Sequence, residues 1–114
     1  EWAVETLTAI LAANPTDAEL KMLLGRALHD TGDEKAAKVR FDEAVASESS
    51  NAELRGARGM FLQKLGRSKE AREDLDLALA QKPEQLDWRA SRAAALRDLD
   101  LIDDAVCDCN VVLA

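Results

Sequence analysis

The chain has 114 residues, 47% hydrophobic and 32% charged, a balance that suits one ordinary domain or a short solenoid and not a disordered segment. A formal net charge of −7 and a pI near 4.7 speak against nucleic acid, which needs a basic face to neutralise phosphates, and against anionic membrane surfaces for the same reason. No run approaches the ~18 apolar residues of a membrane helix, and no charged-then-apolar leader opens the chain, which starts at Glu1 and stops inside an apolar run, as a piece of a longer protein would.

Ala and Leu dominate, and only two prolines interrupt, so helix is favoured throughout. The first predicted helix spans residues 1–13, with Ala3, Leu7, Ile10 and Leu11 on one face. Asn14-Pro15 stops it, because proline cannot continue a helix and pushes its predecessor towards extended geometry. Thr16 with Glu19 reads as a capping box, Ser50 with Glu53 repeats the device, and Glu84 with Asp87 is a weaker version. Helices are then predicted at about 17–31 and 33–47 around Gly32, at 51–65 and 68–81 around Gly66, and at 85–99 and 101–113 around Asp100. Glycine suits those turns because a residue ending a helix often takes a left-handed conformation, which Asp adopts at some cost. The short connections make neighbouring helices antiparallel.

The pairs repeat with a period of 34 residues, the spacing of Gly25 from Gly59 and of Gly32 from Gly66. Small residues recur where helices should cross closely: Gly25, Gly59 and Ala93 on first helices, and Ala3, Ala37, Ala71 and Ala105 on second ones. Ala44 and Ala78 recur where one pair meets the next, with Ile10 and Val112 in those places at the ends. Larger apolar residues recur as Leu28, Leu62 and Leu96, and as Leu7, Phe41, Leu75 and, at the last place, Cys109. Pro15 and Pro83 close their repeats.

This pattern resembles the tetratricopeptide repeat (TPR) family over essentially the whole chain. It is a divergent version, because the family's aromatic positions mostly hold Leu, Lys or Arg. The resemblance implies an all-α fold, a right-handed α-solenoid of antiparallel helix pairs with about seven helices. It divides one domain, 1–114, into a second helix of a truncated repeat (1–17), two repeats (18–51 and 52–85) and a truncated repeat (86–114). In such a stack the first helices line a concave groove, stability is close to a sum of nearest-neighbour terms, and about three repeats are needed for a continuous core.

The function this implies is a scaffold that binds a protein or peptide partner, with no enzymatic activity and no cofactor. The groove would be lined by Met22, Leu23 and Arg26, flanked by Glu19; by Gly56, Ala57, Met60 and Lys64, with Gln63; and by Ala90, Ala94 and Arg97, with Ser91. Met adapts to a guest and small residues leave it volume, so a helical or extended segment with apolar anchors is the expected ligand. Gly56 has no evident packing role and reads either as room for that ligand or as drift. One branch of the family clamps a partner's terminal carboxylate with Lys, Asn and Arg. The corresponding places in this sequence hold Met22, Arg26, Ala57, Asp87 and Ser91, or Gly56, Met60 and Ser91 one repeat on, so no clamp is expected.

Other chemistry finds little support. Cys107 and Cys109 would point about 200° apart on a helix at ~100° per residue, which suits neither a disulfide nor a shared metal. His29 has no nucleophile to serve. Asp98, Asp100, Asp103 and Asp104 lack the alternating spacing and glycine of a calcium loop and read as solvated charge at a helix start. Two ion pairs are predicted, because Arg58 and Arg92 occur where Asp74 and Asp108 face them, whereas the first full repeat holds Leu24 and Arg40 there. The terminal helices carry apolar faces, around Val4, Leu7 and Leu11 and around Val106, Cys109, Val112 and Leu113. The alternative function is therefore a self-assembling scaffold, a homo-oligomer joined through those ends.

Overall fold

The computed structural model describes residues 2–14 and 16–99. They form six α-helices in order: α1 (Trp2–Ala13), α2 (Ala18–Asp30), α3 (Glu34–Ser47), α4 (Ala52–Lys64), α5 (Ser68–Gln81) and α6 (Leu86–Asp98). The described chain is all-α, and its helix ends agree with the predicted ones to within a residue or two. The seventh predicted helix, Asp100 and both cysteines lie outside the described residues.

The N-caps differ from the expected ones by one position. Asp17, not Thr16, caps α2, its Oδ1 accepting from the Leu20 amide at 3.1 Å. Asn51 rather than Ser50 caps α4, its Oδ1 accepting from Glu53 N at 3.0 Å and Leu54 N at 3.3 Å. The Asx carboxyl or amide oxygen reaches the second and third free amides of the first turn, which a side chain one residue earlier does less well. The third copy has Gln85 at this place and no side-chain cap.

Both turn glycines take the left-handed conformation, Gly32 at φ 88° and Gly66 at φ 81°. Each sits in the same paired closure. Asp33 N donates to Leu28 O at 2.9 Å and Gly32 N to His29 O at 3.0 Å; Arg67 N donates to Leu62 O and Gly66 N to Gln63 O at those same lengths. Four helix-end carbonyls are thereby satisfied. A Cβ on either glycine would meet nothing within 4 Å, so substitution is penalised by backbone conformation alone. Gly32→Ala and Gly66→Ala should each cost about 1–2 kcal/mol, with Asn costing less. Urea denaturation checks this, and a neutral alanine would contradict it.

Two compact units divide at Leu54 and Arg55. In the first, α1 packs on α2 and α2 on α3. Gly25 lets α2 approach α3 closely, since a Cβ there would lie 3.1 Å from the Phe41 ring and 3.3 Å from Ala37 O. Ala18, Ala44, Val45 and Leu54 form a buried cluster, with Met22 packed against it. In the second unit, Gly59 does the same for α4 and α5, where a Cβ would lie 2.7 Å from Leu75 Cγ and 3.2 Å from Ala71 O. Ala71, Leu75, Ala78 and Ala95 are fully buried, and Leu62, Leu79, Ala93 and Leu96 nearly so. Leu28, expected in the core beside its equivalents Leu62 and Leu96, is only half-buried.

Candidate functional site

The residues expected to face a ligand fall on helix strips, one in the first unit and two in the second. On α2, Met22 is half-buried against the Ala18–Leu54 cluster, while Leu23 and Arg26 are exposed. On α4, Ala57 and Met60 are half-buried and Lys64 is exposed; on α6, Ala90 and Arg97 are exposed and Ala94 is half-buried. Ala57, Met60 and Lys64 are spaced i, i+3, i+7, and Ala90, Ala94 and Arg97 i, i+4, i+7, so each trio shares a helix face. Acidic Glu19, Glu53 and Asp87 occupy first turns, and Lys64 and Arg97 last turns, where the helix dipole favours each sign.

Gly56 does not leave room for a guest. The Trp88 indole lies directly on it, such that a Cβ on Gly56 would stand 2.2 Å from Trp88 Cε2. Trp88 is 8% exposed. Gly56 therefore has the packing role that the sequence did not reveal. The 34-residue register supplies the reason: Leu54 and Trp88 are equivalent, as are Met22 and Gly56. In the first unit a large Met meets the cluster that contains Leu54; in the second, a missing side chain meets the largest one available. The pair keeps the volume filled, as dense interiors require.

The predicted Arg58–Asp74 pair is present and stronger than a single contact. Arg58 Nε donates to Asp74 Oδ2 at 2.6 Å and Nη2 to Oδ1 at 2.9 Å. Arg55, which the sequence did not single out, adds Nη1 to Oδ1 at 3.0 Å. The Asp74 side chain is 3% exposed and each arginine side chain 21%. Two guanidiniums thus hold one buried carboxylate between α4 and α5, with bidentate geometry from Arg58. In the first full repeat, buried Leu24 replaces Arg58, and Arg40 instead pairs with Glu43 at 2.7 Å. Asp108 lies outside the described residues, and Arg92 Nη1 donates to Asp76 Oδ1 at 3.0 Å.

Among the described residues, no group of three or more His, Cys, Asp or Glu side chains could hold a metal ion, and no helix is long and apolar enough to cross a membrane. Asp98 accepts from Ser68 Oγ at 3.0 Å; the rest of the acidic cluster lies outside the described residues. His29 is half-buried in the last turn of α2.

Two family models described as tetratricopeptide repeat match the sequence, one over residues 3–60 and one over 52–85. Among curated proteins no sequence matches significantly. Several solved structures share the fold. A crystal structure of MamA protein superposes with a TM-score of 0.82 at 24% identity, covering 96% of this chain and 60% of that one. A second MamA structure gives 0.83 at 24% identity, over 96% and 64% of the two chains. The second TPR of Spaghetti (RPAP3), solved bound to the HSP90 peptide SRMEEVD, gives 0.79 at 23% identity, over 90% and 95%. The chain thus spans about three-fifths of the MamA chains it matches.

Proposed function

Because the chain belongs to the tetratricopeptide repeat family, we propose that it is a protein-interaction module, not an enzyme, and that it takes a peptide or helical segment on the first-helix faces. The observation that carries this reading is the strip on α4 and α6. There Ala57, Met60, Ala90 and Ala94 stay half-buried or exposed, while the apolar residues Leu62, Ala93, Ala95 and Leu96 of the same helices are buried. Met22, Leu23 and Arg26 offer the matching strip on α2. Support for the class comes from a fold relative solved with a peptide bound. Small apolar residues flanked by Lys64 and Arg97 suit a segment with one or two apolar anchors and polar flanks.

Gly56 drops out of the contact set, because Trp88 covers it. Of the places that grip a terminal carboxylate in one branch of the family, only Arg26 could serve, so the segment is recognised along its length and not by its end.

The test starts from twelve-residue peptides selected on the wild-type chain from a random display library. Met60→Glu places a charge in a contact that binding desolvates and should weaken the selected peptides at least tenfold, with helicity and melting nearly unchanged. Leu77→Glu, on the exposed side of α5, should leave affinity as it was. Unaltered binding by Met60→Glu would move the site elsewhere.

A further inference from the structure

Helices α4 and α6 carry six basic residues against three acidic ones, in a chain whose net charge is −7. Most of the bases are occupied. Arg55 and Arg58 hold Asp74, Arg92 reaches Asp76, and Arg89 Nε donates to Pro83 O at 2.7 Å. Lys64 and Arg97 differ: both are exposed, and among the described residues neither meets a carboxylate. Asp98 follows Arg97 directly, yet it accepts from Ser68 Oγ on α5 at 3.0 Å.

The place of these two charges gives the strip a direction. Short turns set α4 antiparallel to α5 and α5 antiparallel to α6. Helices α4 and α6 therefore run the same way, joined where the Trp88 indole lies on Gly56. Each has an acid in its first turn, Glu53 or Asp87, and one of the two bases in its last. Lys64 stands four residues beyond Met60 and Arg97 three beyond Ala94, rises of about 6 Å and about 4.5 Å along the helices. An extended segment at ~3.3 Å per residue covers that in about two residues. We propose, resting on the reading of this strip as the ligand site, that its partner is an acidic segment. An apolar anchor lies over Met60 and Ala94, and a side-chain carboxylate about two residues away accepts from Lys64 and Arg97. A basic segment would bring like charge to both, and the first-turn acids disfavour a carboxylate at the other end. The negative charge of the whole chain does not oppose this, because charges beyond ~8 Å are largely screened at physiological salt.

The test selects a random twelve-residue display library in parallel on the wild-type chain and on Lys64→Glu with Arg97→Glu. The wild-type chain should enrich Asp or Glu about two residues from an apolar side chain. The charge-reversed chain should lose that preference and enrich Lys or Arg in its place. The tightest wild-type peptide, resynthesised, supplies the affinities. Because Glu opposes the dipole at a helix C-terminus, the neutral pair Lys64→Gln with Arg97→Gln serves as the second variant, its helicity checked by circular dichroism. Exposed ion pairs contribute a few-fold each, so the Gln pair should weaken the peptide about five- to tenfold. Replacing the peptide's acid with its amide should cost as much on the wild-type chain and nothing on the Gln pair. Lys35→Glu with Lys69→Glu, at exposed positions of α3 and α5, changes net charge as much as the Glu pair and should leave affinity within about twofold. Selection without acidic enrichment, or a Gln pair that binds like wild type while Met60→Glu weakens the peptide, overturns the acidic partner and leaves the strip as the site. An equal loss in the Lys35 and Lys69 variant overturns it as well, by assigning the effect to long-range charge. If Met60→Glu is also without effect, the strip reading fails with it.

Discussion

Replacing Trp88 with alanine should cost about 3–5 kcal/mol, the usual penalty for emptying the space of a buried aromatic and a large part of the roughly 5–15 kcal/mol that holds a small domain together. The matching change on the other side is more informative. Alanine in place of a helix-interior glycine ordinarily gains about 1 kcal/mol, but at Gly56 the new Cβ would stand 2.2 Å from the Trp88 ring. Overpacking of about 1–3 kcal/mol outweighs the propensity gain, so Gly56→Ala should be neutral to destabilising, and Gly56→Met clearly destabilising. Combining Gly56→Met with Trp88→Leu installs the Met–Leu combination of the first unit and should recover most of the loss. Urea denaturation of the two single variants and the double variant gives the coupling directly. Additive costs would mean that the two side chains do not share one space.

The second large effect belongs to Asp74. Asp74→Ala should destabilise by about 3–5 kcal/mol, because it leaves two guanidiniums facing each other without their carboxylate. The lower end is expected, since both arginine side chains keep 21% exposure and water screens part of the repulsion. Removing all three charges together, as Arg55→Met, Arg58→Leu and Asp74→Leu, should be far milder than the single change, because apolar groups of similar volume often replace a buried ion cluster at little cost. The first full repeat already places a buried Leu24 where Arg58 stands. Thermal or urea unfolding of the two variants distinguishes the outcomes; a triple variant as damaged as Asp74→Ala would show that the arginines pack for reasons other than charge.

Legibility in the sequence follows from which interactions repeat. The 34-residue spacing of Gly25 and Gly59, and of Gly32 and Gly66, places every described helix, because turn conformation and close crossings depend on one residue each. The Arg58–Asp74 pair is legible because Leu24 and Arg40 change together with it one repeat earlier. Arg55 is not, since its equivalent Lys21 is also basic and so gives no contrast. The caps fall one residue from their expected places because Thr16-Asp17 and Ser50-Asn51 each offer two adjacent capping side chains, and backbone geometry chooses between them.

The least legible contact is Gly56 with Trp88, 32 residues apart. Judged alone, Gly56 looks like vacant volume. The signal lies in the paired substitution of Met22 and Leu54 by Gly56 and Trp88, and it emerges only when one repeat's first helix is compared with the next. Empty space on a repeat helix is therefore counted only after the neighbouring repeat's side chain has been placed.

Whether ligands are taken on the first-helix faces is decided by mapping backbone amide shifts of the intact chain as the tightest library-selected peptide is titrated in. The largest changes are expected at Ala57, Met60, Ala90 and Ala94. Changes confined to the exposed sides of α3 and α5, around Val39 and Leu77, would rule out binding on those faces.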